Sequence, residues 1–287
     1  MDVSIIFVNY NTYELTIDAI NSVFKLTTKL NFEIIVVDNN SKDGSVKEIK
    51  RLFPEIILIE NKKNIGFGQA NNKGFQIAKG KYYFLLNTDT YLVNNAIELL
   101  FDFMQKKENE SVAVVGGELI RANGDSCVSW GYFPNYKLFI KGSIWRHFFK
   151  KGFYDSEVLS SVFVNSKDPY IVDYVSGANY FVRSSIIANV GGFNKCFFLY
   201  FEETELTLRI KRRISGSKVM VVPQAKIVHL GQGSNINSTK SKNFKLQYLK
   251  SKAHYFRIQN GLIPSLMVYL SGLITIFLRE KNSFKKY

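Results

Sequence analysis

The chain has 287 residues, of which 46% are hydrophobic and 22% are charged, with a formal net charge of +14. This composition excludes a disordered chain and is typical of one large globular domain or a domain with an appendage. The two cysteines, Cys127 and Cys196, show no CxxC spacing. This argues against a disulfide framework or a thiolate zinc site and favours a reducing compartment. The first residues lack a basic segment before their apolar run, so we expect no secretory signal.

The first 120 residues alternate between short apolar runs and segments with helical spacing. Strands are predicted at 3–9, 32–38, 55–60, 81–87 and 111–117, and helices at 13–26, 45–53, 66–80 and 95–107. Apolar strands that alternate with amphipathic helices predict an α/β fold with a mostly parallel sheet and helices on both faces. Such sheets bind ligands beyond the carboxyl ends of their strands.

Polar residues stand at the ends of three predicted strands. Residues 9–11 follow the first strand, Asp38 ends the second, and Asn87 and Asp89 end the fourth. A single aspartate after a strand is usually a turn former or a helix cap, which is our interpretation of Asp43. Asp38 and Asp89 hold equivalent positions on two strands, and the pattern therefore predicts a polar site on one rim of the sheet.

Two later segments break the alternation. Residues 130–170 are aromatic and basic with weak periodicity, which predicts a functional loop or lid. Residues 198–209 place Glu202, Glu203 and Glu205 in the first turn of a predicted helix. The helix dipole stabilises acids at this position, and Glu205 can pair with Arg209 one turn later. The spacing alone therefore allows a purely structural role for these acids.

The last 48 residues, 240–287, carry ten Lys or Arg residues and one acid, Glu280, which gives them +9 of the net charge. Within them, residues 261–278 form an uncharged apolar stretch that contains Pro264. Basic residues around an apolar stretch favour an anionic membrane surface over nucleic acid. A span needs about 20 residues, so a helix lying at the membrane interface is predicted. A hairpin packed on the domain is the alternative.

Seven motifs give the chain a resemblance to family 2 glycosyltransferases with the GT-A fold. The chain is similar to this family over about residues 3–235, and is most similar to its bacterial rhamnosyltransferase-like branch, which builds surface polysaccharides. The motifs lie, in the family's order and rough spacing, at 3–11, 36–45, 64–74, 84–90, 175–194, 198–209 and 223–234.

The resemblance implies an enzyme with a GT-A catalytic domain that moves a sugar from a nucleoside diphosphate to an acceptor hydroxyl with inversion. This domain would occupy residues 1–239. Residues 1–120 would be its nucleotide-binding half, and 121–239 its acceptor-binding half with the variable loop 130–170. Residues 240–287 would form a helical, membrane-associating extension.

The nucleotide-binding residues are implied by the same resemblance. Asp38 matches the position that accepts a hydrogen bond from the imide N–H of the base, and Tyr10 matches the position that packs on the base ring. A carboxylate facing an imide suits uracil or thymine, so a UDP- or dTDP-sugar, such as dTDP-rhamnose, is the expected donor. The other implied nucleotide-binding residues are Val8, Asn11, Asn64, Gly66, Asn71 and Asn87.

A metal site is implied by residues 84–90, which resemble the family's Asp-x-Asp motif. Asn87 replaces the first acid, so Asp89 becomes the charged ligand and His229 a further ligand for Mn²⁺ or Mg²⁺. A nitrogen ligand favours Mn²⁺, and the lost charge predicts weak metal binding in the absence of donor. A histidine with satisfied hydrogen bonds at a strand end is the alternative interpretation of His229.

The acidic stretch resembles the family's Glu-Asp-x-Asp motif, in which the second acid is the general base. This assigns the base to Glu203, one methylene longer than the usual aspartate, and the helix N-terminus predicts a low pKa for it. Glu205 is also expected to pair with Arg209. The implied acceptor-binding residues are Gly177, Glu202, Glu205 and Trp130, with core packing as the alternative for Trp130.

The expected acceptor is a saccharide carried on a lipid at the cytoplasmic face of the cell membrane. The protein is therefore expected to be cytoplasmic, bound peripherally to the inner face of that membrane, without a nucleic-acid partner; a homodimer is left open. The alternative function is a non-catalytic, nucleotide-sugar-binding subunit of a polysaccharide assembly complex. A nucleotidyltransferase is disfavoured because no glycine-rich basic loop follows the first strand.

Overall fold

The structure is a computed structural model, and it describes residues 1–139, 166–231 and 242–283. The strands are β1 Val3–Asn9, β2 Phe32–Asp38, β3 Ile57–Glu60, β4 Tyr82–Leu86, β5 Thr90–Leu92, β6 Val112–Ile120, β7 Trp130–Gly131, β8 Tyr170–Ile171, β9 Tyr174–Val175, β10 Asn179–Arg183 and β11 Lys218–His229. The helices are α1 Tyr13–Leu26, α2 Ser45–Leu52, α3 Phe67–Ile77, α4 Ala96–Gln105, α5 Ser184–Val190, α6 Glu202–Arg213, α7 Lys242–Asn260 and α8 Leu262–Ser283.

The described strands form a mostly parallel central sheet in the order β3-β2-β1-β4-β10-β6-β11-β5, with β8 paired to β11. Strands β3, β2, β1 and β4 are mutually parallel, whereas β10 runs antiparallel to both β4 and β6. Strands β7 and β9 form a separate short ribbon. The predicted α/β fold with a mostly parallel sheet is confirmed. The start of β10 consequently lies at the same rim as the ends of β1, β2 and β4.

Helices cover both faces of this sheet. Side chains of successive strand residues point to opposite faces, so Ile5 and Phe7 enter one core while Ile6 enters the other. The first core receives α1 and α4, and the second receives α3, α5 and α6. All three of these β1 residues are buried, which explains why the strand has no polar alternation in the sequence.

Helix α3 is shorter than the 66–80 segment predicted for it. It ends at Ile77, and Gly80 instead lies against β1, where its N–H donates to Ser4 Oγ at 2.8 Å. A Cβ on Gly80 would collide with the backbone of Ser4. The glycine therefore allows close approach of two backbones.

Helices α7 and α8 form a hairpin that packs on the sheet domain, which was the alternative considered for this region. An aromatic cluster joins the two parts: Phe197, Phe201 and Leu208 pack with Tyr255, Phe256 and Val268. Among the described helices, none has an apolar stretch long enough to cross a membrane. Most of the predicted variable loop, 140–165, lies outside the described residues.

Candidate active site

Asp38 lies at the rim because β2 ends beside β1, with Asn9 and Asp38 paired in register. The amide nitrogen of Asn9 donates to Asp38 Oδ1 at 2.7 Å, and the backbone N–H of Ser41 donates to Asp38 Oδ2 at 2.9 Å. Asp38 is almost fully buried. The two donors fix the direction of a carboxylate that sequence reasoning assigned to the nucleobase.

The residues that follow β1 form an exposed turn beside Asp38. Tyr10 is 48% exposed, so its ring is available to a planar ligand. Asn11 takes a left-handed conformation with φ of 53° and accepts the N–H of Lys42 at 2.7 Å. Asn11 therefore holds the loop after β2, while Val8 remains a partly buried strand residue.

A chain of polar contacts connects β1 to the 87–89 turn. Asn9 Oδ1 accepts hydrogen bonds from Thr12 Oγ1 at 2.8 Å and Thr16 Oγ1 at 2.9 Å. Thr12 Oγ1 in turn lies 3.0 Å from Thr88 Oγ1, and either hydroxyl can donate. Sequence reasoning placed Asn9 at the strand end but missed the two threonines, because nothing in their spacing marks this contact.

The loop before α3 also reaches this rim. Asn64 Oδ1 accepts the N–H of Gly66 at 2.9 Å, and Gly66 has a left-handed φ of 85°. A side chain on Gly66 would collide with the backbone carbonyl of Phe198, whose oxygen accepts the N–H of Phe67 at 2.9 Å. Gly66 is thus required for the contact between this loop and the segment that precedes α6.

Asn71 lies within α3 and is fully buried. Its amide nitrogen donates to the carbonyl of Phe67 at 3.1 Å, but its Oδ1 has no partner among the described residues. An unpaired buried oxygen is costly unless a ligand or water supplies a donor. The Asn71 Oδ1 atom therefore lacks the donor that a buried oxygen needs, whereas the contact of its amide nitrogen with Phe67 is structural.

Asp89 and His229 meet at the opposite side of the rim. His229 ends β11, which pairs with β5 at Thr90, and this pairing brings His229 Nε2 to 3.4 Å from Asp89 Oδ1. Asp89 is buried, and 21% of the His229 side chain is exposed. Among the described residues, no group of three or more His, Cys, Asp or Glu side chains is arranged to hold a metal ion.

The pKa of His229 is raised to about 9. Burial of the ring opposes protonation, but hydrogen bonds with Asp89 and Cys127 and attraction to their charges outweigh it. The same contact with His229 lowers the pKa of the Cys127 thiol. Cys127 is a neighbour of His229 that the sequence did not indicate, since a lone cysteine carries no spacing signal.

The backbone of Asn87 stabilises the turn that contains Asp89. Its backbone N–H donates to the carbonyl of Ala178 at 3.2 Å, and its own carbonyl accepts the N–H and the hydroxyl of Thr90. The turn is therefore fixed by contacts that do not involve the Asn87 side chain. These contacts tie the turn to the residues that precede β10.

Glu202 and Glu203 occupy the first turn of α6. The Oε2 atoms of both carboxyl groups are buried and have no hydrogen-bond partner among the described residues. Burial raises the pKa of both groups, and the charge of Glu203 raises that of Glu202 further. The prediction that the helix N-terminus keeps the pKa of Glu203 low is wrong, because burial outweighs its backbone N–H donors, those of Glu203 and Thr204.

Gly177 lies directly against Glu203. An ideal Cβ built on Gly177 would stand 3.8 Å from both Cβ and Cγ of Glu203 and 3.4 Å from the ring of Phe67. Gly177 precedes Ala178, which holds the Asn87 turn. A continuous set of contacts therefore runs from the Asp89–His229 pair to Glu203.

Two of the predicted acceptor-binding residues have partners within the protein. Glu205 uses both carboxylate oxygens in an ion pair with Arg209, at 3.0 Å and 2.9 Å, which confirms the predicted pairing. Trp130 is 5% exposed and packs edge-on against Tyr132 and Tyr170. The burial and the ring contacts of Trp130 favour core packing, the alternative considered for this residue.

Comparisons with known proteins agree on one family. Residues 4–148, half of the chain, match glycosyl transferase family 2. The poly(ribitol-phosphate) beta-glucosyltransferase of Bacillus spizizenii is 31% identical over 121 residues, which cover 40% of this chain and 19% of that protein. The poly(ribitol-phosphate) beta-N-acetylglucosaminyltransferase TarP of Staphylococcus aureus is 30% identical over 128 residues, or 43% of this chain and 38% of that protein.

A solved structure shows the same fold at low identity. GalNAc-T7 with UDP, GalNAc and Mn²⁺ superposes with a TM-score of 0.61 at 16% identity, covering 90% of this chain and 50% of that one. The chain spans less than half the length of the curated relatives it matches. The family match and the GT-A architecture agree with each other: the chain belongs to glycosyltransferase family 2.

Proposed function

We propose that the protein transfers a sugar, with inversion, from a UDP- or dTDP-sugar to a hydroxyl group of a growing saccharide, as in the rhamnosyltransferase-like branch of the family. One observation carries the proposal. The buried Oε2 atoms of Glu202 and Glu203 have no hydrogen-bond partner among the described residues, and Glu203 lies against Gly177, on the same run of contacts as the Asp89–His229 pair. Buried acids with unpaired oxygens are expected where a ligand supplies the missing donors.

The donor nucleotide is proposed to bind between Tyr10 and Asp38. Asn9 and Ser41 orient the Asp38 carboxylate, which can accept the imide N–H of uracil or thymine. The exposed ring of Tyr10 offers a stacking surface for the base. Asn64 and Gly66 would shape the loop around the nucleotide, and Asn71 Oδ1 would accept one of its donors.

Asp89 and His229 would hold Mn²⁺ or Mg²⁺. Their oxygen and nitrogen atoms lie 3.4 Å apart at the rim, and both are suitable donors for such an ion, with the remaining ligands coming from the diphosphate. When bound, the ion neutralises the charge that develops on the leaving diphosphate. His229 must lose its proton before it can bind a metal, and the nearby charges of Asp89 and Cys127 oppose that loss.

Glu203 is the proposed general base. The acceptor oxygen bonds to the anomeric carbon, the diphosphate leaves with the electron pair of the broken bond, and the hydroxyl proton moves to Glu203. A single displacement of this kind inverts the anomeric carbon. The raised pKa of Glu203 makes its carboxylate a stronger base than an exposed glutamate. Glu202, whose pKa lies well above its usual range, would keep its proton and donate it to a sugar oxygen.

The proposed acceptor is a lipid-linked saccharide at the cytoplasmic face of the membrane. Two relatives are named for transfer to poly(ribitol-phosphate), which supports a surface polymer as the final product. Helix α8 supports peripheral membrane contact, since it turns small residues such as Ser265 and Gly272 toward α7. Large apolar residues form its outer face: Ile263, Leu266, Met267, Leu270 and Ile274. A helix that packs only on protein in water would have the reverse pattern.

We propose the domain division that the sequence indicated, with a catalytic domain over 1–239 and the helical extension over 240–287. The first half of the catalytic domain, residues 1–120, holds the proposed nucleotide contacts and Asp89, whereas the second proposed metal ligand, His229, lies in the other half. The proposed base and Gly177 belong to residues 121–239. The boundary at 239 falls between the described ranges that end at 231 and resume at 242.

A donor screen tests this function. Each UDP- or dTDP-sugar is added with Mn²⁺ or Mg²⁺, and both the melting temperature and the release of free nucleoside diphosphate are measured. A ligand that binds only the folded protein raises the melting temperature. The proposal expects stabilisation and metal-dependent release for one donor. Stabilisation without release, also in the presence of candidate acceptor saccharides, would favour the non-catalytic subunit instead.

A further inference from the structure

The segment before α6 has an unusual backbone. Tyr200 and Phe201 both have φ of 68°, a left-handed conformation that L-residues with large side chains rarely adopt. Phe201 caps α6, and its carbonyl accepts the N–H of Glu205 at 2.9 Å, the first hydrogen bond of the helix. The conformation of Phe201 therefore sets the direction of the turn that carries Glu202 and Glu203.

Helix α7 holds this segment from one side. Ser251 is buried, and its hydroxyl donates to the backbone carbonyl of Leu199 at 2.9 Å. The ring of His254 meets the ring of Phe197 edge-on at 5.2 Å. Two contacts from one helix face thus fix the backbone immediately before the two left-handed residues.

The rings of the left-handed residues pack on the same helix. Phe201 lies 5.4 Å from Tyr248 and 5.5 Å from Tyr255, measured between ring centroids. Tyr200 meets Tyr248 at 5.4 Å and Phe244 at 5.6 Å. Strained backbone persists only where its surroundings impose it, and the aromatic face of α7 packs on the rings of both left-handed residues.

The opposite side of the segment is held by the loop before α3. Phe198 accepts the N–H of Phe67, and Gly66 leaves room for the Phe198 carbonyl. The segment before α6 therefore lies between two elements. One is the loop before α3, which is proposed to bind the nucleotide, and the other is α7, which belongs to the predicted membrane-associating extension.

Given Glu203 as the base in the proposed function, we infer that helix α7 is a positioning element of the active site. Ser251, with Tyr248 and Tyr255, imposes the left-handed turn at Tyr200 and Phe201 and thereby aims the Glu203 carboxylate. The C-terminal extension is consequently required for transfer itself and not only for attachment. Ser251 touches no reacting atom, and it acts through the carbonyl of Leu199.

The test compares Ser251→Ala with Ser251→Thr. Ser251→Ala removes the bond to Leu199 and should lower kcat about tenfold or more, while KM and binding for the donor stay unchanged, because displacement of a catalytic group by a fraction of an ångström is costly. Ser251→Thr keeps the hydroxyl and should restore most of kcat. Ser271→Ala is the matched control, since it removes a hydroxyl that bonds the Val268 carbonyl within α8.

Rates are normalised to the concentration of donor-binding sites, so that loss of folded protein is not read as loss of kcat. Tyr248→Leu provides a second variant that removes a ring from both left-handed residues and should show the same loss of kcat. Wild-type kcat in both Ser251→Ala and Tyr248→Leu would overturn the inference. Glu203→Gln is assayed in parallel: if it turns over normally, the proposed function fails, and this outcome is distinct from failure of the positioning role.

Discussion

The Nε2 atom of His229 lies 3.4 Å from Oδ1 of Asp89, across the pairing of β11 with β5. The strand register places these two side chains together. The carboxylate and the imidazole of the proposed metal site can therefore be tested separately.

Asp89→Asn should weaken Mn²⁺ binding in the presence of UDP or dTDP by about 10- to 100-fold, because the charged ligand is lost. Donor binding through Asp38 should persist. Metal titrations followed by melting temperature measure the effect, and the exposed Asp102→Asn variant on α4 serves as control. Equal metal affinity in Asp89→Asn and wild type would remove Asp89 from the proposed site.

His229 should make the metal-free protein less stable as the pH rises. Its pKa is about 9 in the folded protein against 6.5 ordinarily. The stabilising contribution is complete below pH 6.5 and is lost as the pH rises through about 9. With allowance for the exposed part of the ring, the free energy of unfolding should fall by about 1–2 kcal/mol over this pH range. Urea unfolding in EDTA across this range should show the decline, and His229→Asn should abolish it.

Glu203→Gln should reduce transfer by about 10²- to 10⁴-fold, because the amide keeps the shape of the side chain but cannot accept the hydroxyl proton. Binding of donor and metal should remain. Initial rates with a saturating donor measure the loss, and Glu14→Gln, an exposed glutamate in the first turn of α1, is the control. Unchanged turnover would transfer the base role to another residue.

The pH dependence of transfer should also reflect the titration of the Glu203 carboxyl group. Only the ionised carboxylate can take the proton, and burial raises its pKa. The rate should therefore fall on acidification at a pH above the ordinary titration range of glutamate. A log kcat profile at saturating donor and metal measures the midpoint. A midpoint in the range of an exposed carboxylate would contradict the buried environment.

The rim of the sheet was predictable because strand ends and helix caps are local features. Asp38 and Asp89 follow apolar runs, and each lies where its strand ends. The position of Trp130, the pKa of Glu203 and the contact of Ser251 with Leu199 were not predictable. Each of these features depends on which distant segment of the chain packs over the residue. Neither hydrophobic periodicity nor local charge indicates that segment. The left-handed Phe201 gave no signal, since its sequence neighbours contain no glycine or asparagine.

The outer face of α8 should bind anionic membranes. Replacing Ile263 and Leu270 together with Gln should reduce partitioning to vesicles that contain phosphatidylglycerol by at least about tenfold, since two large apolar side chains no longer enter the interface. Both residues are exposed, at 72% and 57%, so the fold should be unaffected. Val128→Gln, which alters an exposed apolar residue outside the hairpin, is the control.

Because the hairpin carries basic residues such as Lys245, Lys250 and Arg257, wild-type binding should weaken with salt. Wild-type partitioning of the double variant would show that the attachment surface lies elsewhere.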